Sequence, residues 1–159
     1  MLFELATPSR LLVSTDVDEV VAPGAEGYFG VLPGHAPFLT ALGPGEVMYR
    51  LGRDERYVAV SGGFAEVTGE RVIILAEGAE APEDIDRERA ERARQRAEQR
   101  LAGRSPQGGD EEIDYNRALA ALARAVARIM VAGRLGPLGP ALGSQRQAAG
   151  DQASSRRAA

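Results

Sequence analysis

The chain has 159 residues, enough for one domain with a real core plus an appendage, and its apolar (44%) and charged (26%) fractions are those of an ordinary water-facing protein. It has no Cys and a single His, which excludes disulfides, thiol catalysis and multi-histidine metal sites. All 19 basic residues are Arg, so the lysine of a phosphate-cradling P-loop and of Schiff-base chemistry is missing as well.

The net charge of −4 conceals an asymmetry. Residues 1–81 carry 12 acids against 5 arginines, whereas residues 134–159 carry 1 acid against 4 arginines. An acidic body argues against nucleic-acid binding. No stretch approaches the roughly 20 apolar residues of a membrane span, and the first residues lack the basic region of a signal peptide. The expectation is a cytosolic protein, or one held at a membrane only through a partner.

Short strands broken by turns fill the first part of the chain. Leu2–Ala6 alternates and stops at Pro8; Leu11–Val13 and Val17–Ala22 follow, closed by Pro23-Gly24. Phe38 and Leu39 enter a further strand. Val47–Leu51 alternates, Gly52–Glu55 is a hairpin loop, and Tyr57–Val60 returns. Phe64–Val67 and Val72–Leu75 form another hairpin around Thr68-Gly69-Glu70, and the second of these, apolar on both faces, is expected to lie centrally. This spacing predicts an antiparallel β-sandwich over residues 1–81.

From Asp84 to Ala102 there is neither Gly nor Pro, and Arg, Glu, Gln and Ala dominate. Asp84 is the expected N-cap. The apolar positions, Ile85, Ala90, Ala93, Ala97 and Leu101, make a narrow stripe that docks weakly. A connector at Gly103–Asp110 leads to a second helix, about Glu112 to Ala132, with its stripe at Ile113, Leu119, Leu122, Val126, Ile129 and Met130 and with Ala118, Ala121 and Ala125 placed to allow close approach of another helix. Two amphipathic helices with a short connector predict an antiparallel hairpin over residues 82–133. Residues 134–159 lose periodicity and read as a disordered tail. The fold class expected is therefore α+β by segments.

His35, in Leu32-Pro33-Gly34-His35-Ala36-Pro37, has no Ser, Cys or acid at a spacing useful for catalysis; it reads as a loop residue on a stiff docking surface. Ser61-Gly62-Gly63-Phe64 is glycine-rich but runs into a strand, so it reads as a close backbone approach rather than a phosphate loop. Seven arginines between Arg87 and Arg104 are interleaved with acids and no aromatic, which favours a solvated ion-paired face over RNA. Within that run Asp86, Arg89 and Arg96 share a face, and Arg124 and Arg128 are one turn apart in the second helix. Side by side, these arginines can converge on a phosphate chain, with Asp86 or Glu80 holding a base or sugar. Taken alone, this is a common arrangement.

Three segments carry a resemblance. Glu26-Gly27-Tyr28-Phe29-Gly30-Val31-Leu32-Pro33-Gly34-His35-Ala36-Pro37, Ser61-Gly62-Gly63-Phe64-Ala65-Glu66-Val67 and Ile85-Asp86-Arg87-Glu88-Arg89-Ala90 resemble, in order, the signatures of epsilon subunits of F-type rotary ATP synthases. The resemblance covers about residues 1 to 133. It implies a non-catalytic subunit of the central stalk of a proton-translocating ATP synthase, peripheral to the cytoplasmic face of a bacterial inner membrane. Its partners would be the gamma subunit and the membrane rotor ring, docked through Tyr28, Val31, His35 and Phe38. The helix hairpin would extend into the catalytic head to inhibit ATP hydrolysis. No cofactor is required; ATP is implied as a regulatory ligand held by Glu80, Asp86, Arg89, Arg96, Arg124 and Arg128. Tyr28 stands where many members carry an acid, and the connector is longer than usual. The competing readings are a free-standing β-sandwich binding module without nucleotide sensing, and an enzyme.

Overall fold

A computed structural model describes residues 1–104 and 114–134. Ten strands come first: β1 (Leu2–Ala6), β2 (Leu11–Asp16), β3 (Glu19–Gly24), β4 (Gly27–Val31), β5 (Phe38–Leu42), β6 (Gly45–Leu51), β7 (Asp54–Val60), β8 (Gly63–Val67), β9 (Arg71–Ala76) and β10 (Ala79–Glu80). A 3-10 turn at Pro82–Asp84 then leads to α1 (Arg87–Leu101) and α2 (Tyr115–Ala132).

The strands run in the order β10-β7-β6-β3-β5-β8-β9-β1-β2, with β4 on the free side of β3. All pairings are antiparallel except β1 with β9. β3 and β5 meet at one residue pair, Gly24 and Leu42, so the path folds there into two layers. Phe3, Leu5, Val20, Ala22, Val31, Val47, Val60, Val67, Val72 and Ile74 fill the space between them. These come from both layers, as a sandwich requires.

Alternation explains most of this. Val47 and Tyr49 of β6 point into the core, where the Tyr49 ring lies 5.3 Å from that of Phe3. β9 does lie in the interior of the strand order, but it is not buried on both faces: Val72 and Ile74 are buried and Leu75 is 59% exposed.

Three local readings change. The α1 N-cap is Asp86, whose carboxylate accepts from the Arg89 N–H at 2.9 Å. Asp84 instead ends the 3-10 turn that Pro82 starts, and Ile85 is extended, so the helix cannot begin earlier. α2 starts at Tyr115 under an Asp114 cap, three residues later than expected. On α2 the alanines placed for close approach are packed at 118 and 125, whereas the larger apolar stripe is the more exposed one. Ala118, Ala125 and Ala132, spaced by seven, are buried on one side, and Ala127 and Val131 on the opposite side. Leu119, Val126 and Met130 are 53%, 37% and 46% exposed. Ile113, most of the connector and the tail after Arg134 lie outside the described residues.

α2 packs on α1 and lies across β6 and β7. That accounts for its two buried sides. Ala90 and Ala97, the buried residues of α1, are also seven apart, so the hairpin meets through methyl groups. Ala59 is 4% exposed yet stands outside the sandwich core, because it faces the arm instead.

Candidate functional site

The described residues contain no cluster of His, Asp or Glu arranged to hold a metal ion. Three surfaces remain as candidates: the helical arm, the turn around His35, and the outer face of the β5-β8-β9-β1-β2 layer.

On the arm, Glu80 of β10 and Arg128 of α2 form a half-exposed ion pair, the Arg128 Nε donating to the Glu80 carboxylate. Both line an open depression of about 410 Å³, together with the β1–β2 turn (Thr7 to Arg10), Ser61 and Glu77–Ala79. Arg10 guards its edge through a 2.9 Å ion pair with Asp84. Asp86 caps α1. Arg89 and Arg96 project from α1 into solvent and Arg124 is half-buried on α2. None of these three forms an ion pair with a described residue, whereas Arg92 and Arg94 are neutralised by Glu88, Glu91 and Glu98. The six residues thus divide into a joined pair (Glu80, Arg128), a cap (Asp86) and three arginines of the same hairpin that have no ion-pair partner among the described residues. An unpaired guanidinium is a ready donor to phosphate oxygens.

In the turn, Gly34 has φ +84°, and its N–H reaches across to the Gly69 carbonyl at 2.9 Å. His35 Nδ1 contacts the Ala36 carbonyl at 2.8 Å, and its ring lies 5.3 Å from Phe38. Phe38 meets Phe29 edge-on at 5.1 Å. Tyr28 is 59% exposed, and its hydroxyl accepts from the Glu46 N–H at 3.2 Å. Val31 is fully buried and cannot itself touch a docked partner. Its place on the expected docking surface is corrected: as the last residue of β4, opposite Val20, it anchors the turn from inside. Its neighbour Leu32 is the exposed apolar group, at 54%.

The third surface was not foreseen. Ala41, Phe64, Leu75, Ala6 and Leu11 are directly opposed in sequence across β5, β8, β9, β1 and β2. They form a continuous apolar row about 19 Å long at ordinary strand spacing. Phe64, Leu75 and Leu11 are each about 60% exposed, and Leu39, beside the row, is 72% exposed. The sequence signal was the presence of large apolar residues on both faces of β8 and β9, which the alternation rule assigns to a doubly covered strand.

Residues 1–82 match the family model described as ATP synthase, Delta/Epsilon chain, beta-sandwich domain, and residues 83–133 match its long alpha-helix domain. The chain belongs to the ATP synthase epsilon-chain family. It is 52% identical over 130 residues to the ATP synthase epsilon chain of Nitratidesulfovibrio vulgaris strain DP4, covering 82% of this chain and 93% of that one. The epsilon chain of Syntrophobacter fumaroxidans is 51% identical over 129 residues, covering 81% and 92%. A chain in the structure of the Euglena gracilis mitochondrial ATP synthase (OSCP, F1 and c-ring) superposes with a TM-score of 0.66 at 25% identity, covering 84% of this chain and 80% of that one. As an epsilon chain the protein is a non-catalytic stalk subunit of the rotary ATP synthase, a peripheral part of a membrane-bound complex. No described helix is long and apolar enough to cross a membrane.

Proposed function

We propose that this epsilon chain couples rotation to ATP synthesis by bridging the gamma subunit and a proton-driven rotor ring, and that its helical arm is an ATP-sensitive brake on hydrolysis. The observation that carries the brake is the packing of α2. The fully buried residues of the helix are alanines and one valine, Leu122 and Ile129 are half-buried, and Leu119, Val126 and Met130 stay exposed. Docking by methyl groups releases little area, so the docked and undocked arm differ by only a few kcal/mol at about 25 cal/mol per Å². The exposed stripe supplies apolar contacts for a second seat, in the catalytic head.

Among the described residues Arg89, Arg96 and Arg124 form no ion pair, and Arg128 is paired with the half-exposed Glu80. A triphosphate gathered by these four, with Asp86 and Glu80 toward the base and sugar, stabilises the docked state by RT ln(1 + [L]/Kd), about 2.7 kcal/mol at a hundredfold excess over Kd. The apolar row from Ala41 to Leu11 fits the gamma subunit, since an exposed patch of this length on a sheet marks a protein interface. The turn with Tyr28, Leu32, His35 and Phe38 then faces the ring. In this setting the chain lies on the cytoplasmic face of a bacterial inner membrane.

The test is titration of the isolated chain with Mg-free ATP beside R89A and R124E/R128E, together with hydrolysis by the assembled ATPase carrying the same variants. Binding lost and inhibition altered support the brake. Wild-type protein that binds no ATP overturns the sensor while leaving the stalk role in place.

A further inference from the structure

We infer that Arg134, just beyond the end of α2, is a clasp that holds the arm on the sandwich independently of nucleotide. The inference rests on the reading of the arm as a movable element. The backbone of Arg134 is fixed to the helix, because its N–H donates to the Val131 carbonyl at 2.9 Å directly after the Gly133 cap. Its guanidinium is fixed to the sheet. Nη2 donates to Glu46 Oε1 at 2.9 Å, Nη1 reaches the Tyr57 hydroxyl at 3.4 Å, and Cζ stands 4.3 Å from the centre of the Tyr57 ring. One side chain therefore combines a charge-assisted hydrogen bond with a cation–π contact.

The receiving end is rigid. The Glu46 side chain is 15% exposed, its Oε2 is buried without a partner among the described residues, and its backbone N–H is bonded to Tyr28. Glu46 therefore cannot follow the arm outward, and departure of Arg134 strands a sheltered carboxylate.

The two arm pairs meet the sheet close together. Glu46 of β6 and Glu80 of β10 both stand opposite Ala59 of β7, so they are two strands apart. That separation is about 9.5 Å. Arg128 lies one turn before Ala132, the last residue of α2, and Arg134 two residues beyond it, so both arginines are carried by the same end of the arm. Both pairs are closed at once in this position of α2 on the sheet. The two differ in one respect. Arg128 belongs to the set proposed to grip ATP and must share itself between Glu80 and phosphate. Arg134 lies outside that set, so the clasp persists when Arg128 turns to ligand.

Amide hydrogen exchange on the full-length chain tests this, comparing α2 peptides with β8–β9 peptides in wild type, R134A, E46Q, R134A/E46Q and R134K. R134A and E46Q should each speed opening of α2 by about tenfold while β8–β9 is unchanged, as follows from losing one charge-assisted bond. The double variant should open no faster than either single one. R134K, which keeps the charge and loses the planar fork, should fall in between. Unchanged α2 exchange in R134A, or additive effects in the double variant, overturns the clasp. If α2 and the sandwich instead exchange in one common event in every form, the movable arm is wrong. The coupling of Arg134 to Glu46 would then still show in the shared rate, so the two readings fail separately.

Discussion

Glu46 and Glu80 flank Ala59 from opposite sides on one face of the sheet, and each is paired with an arginine from the C-terminal end of the same helix. The arm is thus registered on the sandwich by charge, while its apolar contacts are small. Of the two pairs, Glu80–Arg128 is the more exposed, and an isolated pair of that kind contributes about 0.5–1 kcal/mol. Exchanging its charges, E80R/R128E, should leave α2 docked within a few-fold in hydrogen exchange. The same exchange should abolish ATP binding in an equilibrium titration, because the arginine now stands on the strand rather than beside Arg124. Retained binding would show that Arg128 is not a ligand.

The apolar row makes a separate prediction. Phe64 and Leu75 are each about 60% exposed and contact mainly their cross-strand neighbours, so F64E and L75E should change folding stability by no more than about 1 kcal/mol. Each should nevertheless prevent co-purification with the rest of the ATPase, as a charge placed in the centre of an apolar interface is not solvated there. Normal assembly of both variants would place the gamma contact elsewhere.

Glycine at β8 has a stricter role than glycine in a turn. Gly63 has φ +135°, and a Cβ there would fall 2.1 Å from the Leu75 carbonyl oxygen. G63A should cost at least about 3 kcal/mol in denaturant unfolding, from backbone strain and overpacking together. Gly52, with φ +62° and open space around it, provides the control: G52A should cost about 1 kcal/mol.

The sequence made the sandwich legible because its strands alternate and its turns carry Gly or Pro. What it hid was which strand faces stay exposed. Leu75 and Phe64 look like core residues by type, and only the register places them in one exposed row. The larger apolar stripe of α2 misleads for the converse reason, although the alanines at 118 and 125 are already placed in the sequence for a close helix approach. Leu119, Val126 and Met130 form the larger stripe, yet Ala118, Ala125 and Ala132 are packed, because a close helix–helix approach selects for small side chains rather than greasy ones. Of the six proposed ligands, the sequence could place Asp86, Arg89 and Arg96 on one helix. It could not show that Arg128 already has a partner in Glu80, which is 48 residues away.

Tyr49 gives the pH dependence. Burial raises its pKa above the ordinary 10.0, with Arg56 opposing in part. A phenol whose folded pKa lies above its unfolded one stabilises the fold fully below the unfolded value, and that contribution is lost as pH rises through the folded one. Stability should therefore fall from about pH 10 upward, and the fall should be shallower in Y49F, which cannot ionise. Denaturant midpoints measured at stepped alkaline pH decide it: parallel curves for the two proteins would assign the decline to other groups.

The alanine seam sets how tightly the hairpin closes, and one added side chain tests it. Ala125 is completely buried on α2, and Ala97 is nearly so on α1. A125L inserts three carbons where two backbones approach, a cost of about 1–3 kcal/mol unless the helices part. Parting is the easier response, because α1 packs on α2 while α2 also rests on β6 and β7. The segment from Arg87 to Arg104 contains seven arginines and no lysine, so trypsin reports on α1 directly. A125L should be cut there roughly tenfold faster than wild type, in line with a loss of about 1.4 kcal/mol. Arg50 and Arg71, on strands of the sandwich, should stay protected in the same digest, since among the described residues none of the arm lies in the core between the layers. A125S, which adds a single atom, should remain close to wild type. Simultaneous cutting of arm and sandwich in A125L would mean that the two unfold as one cooperative unit, and an arm of that kind could not undock on its own.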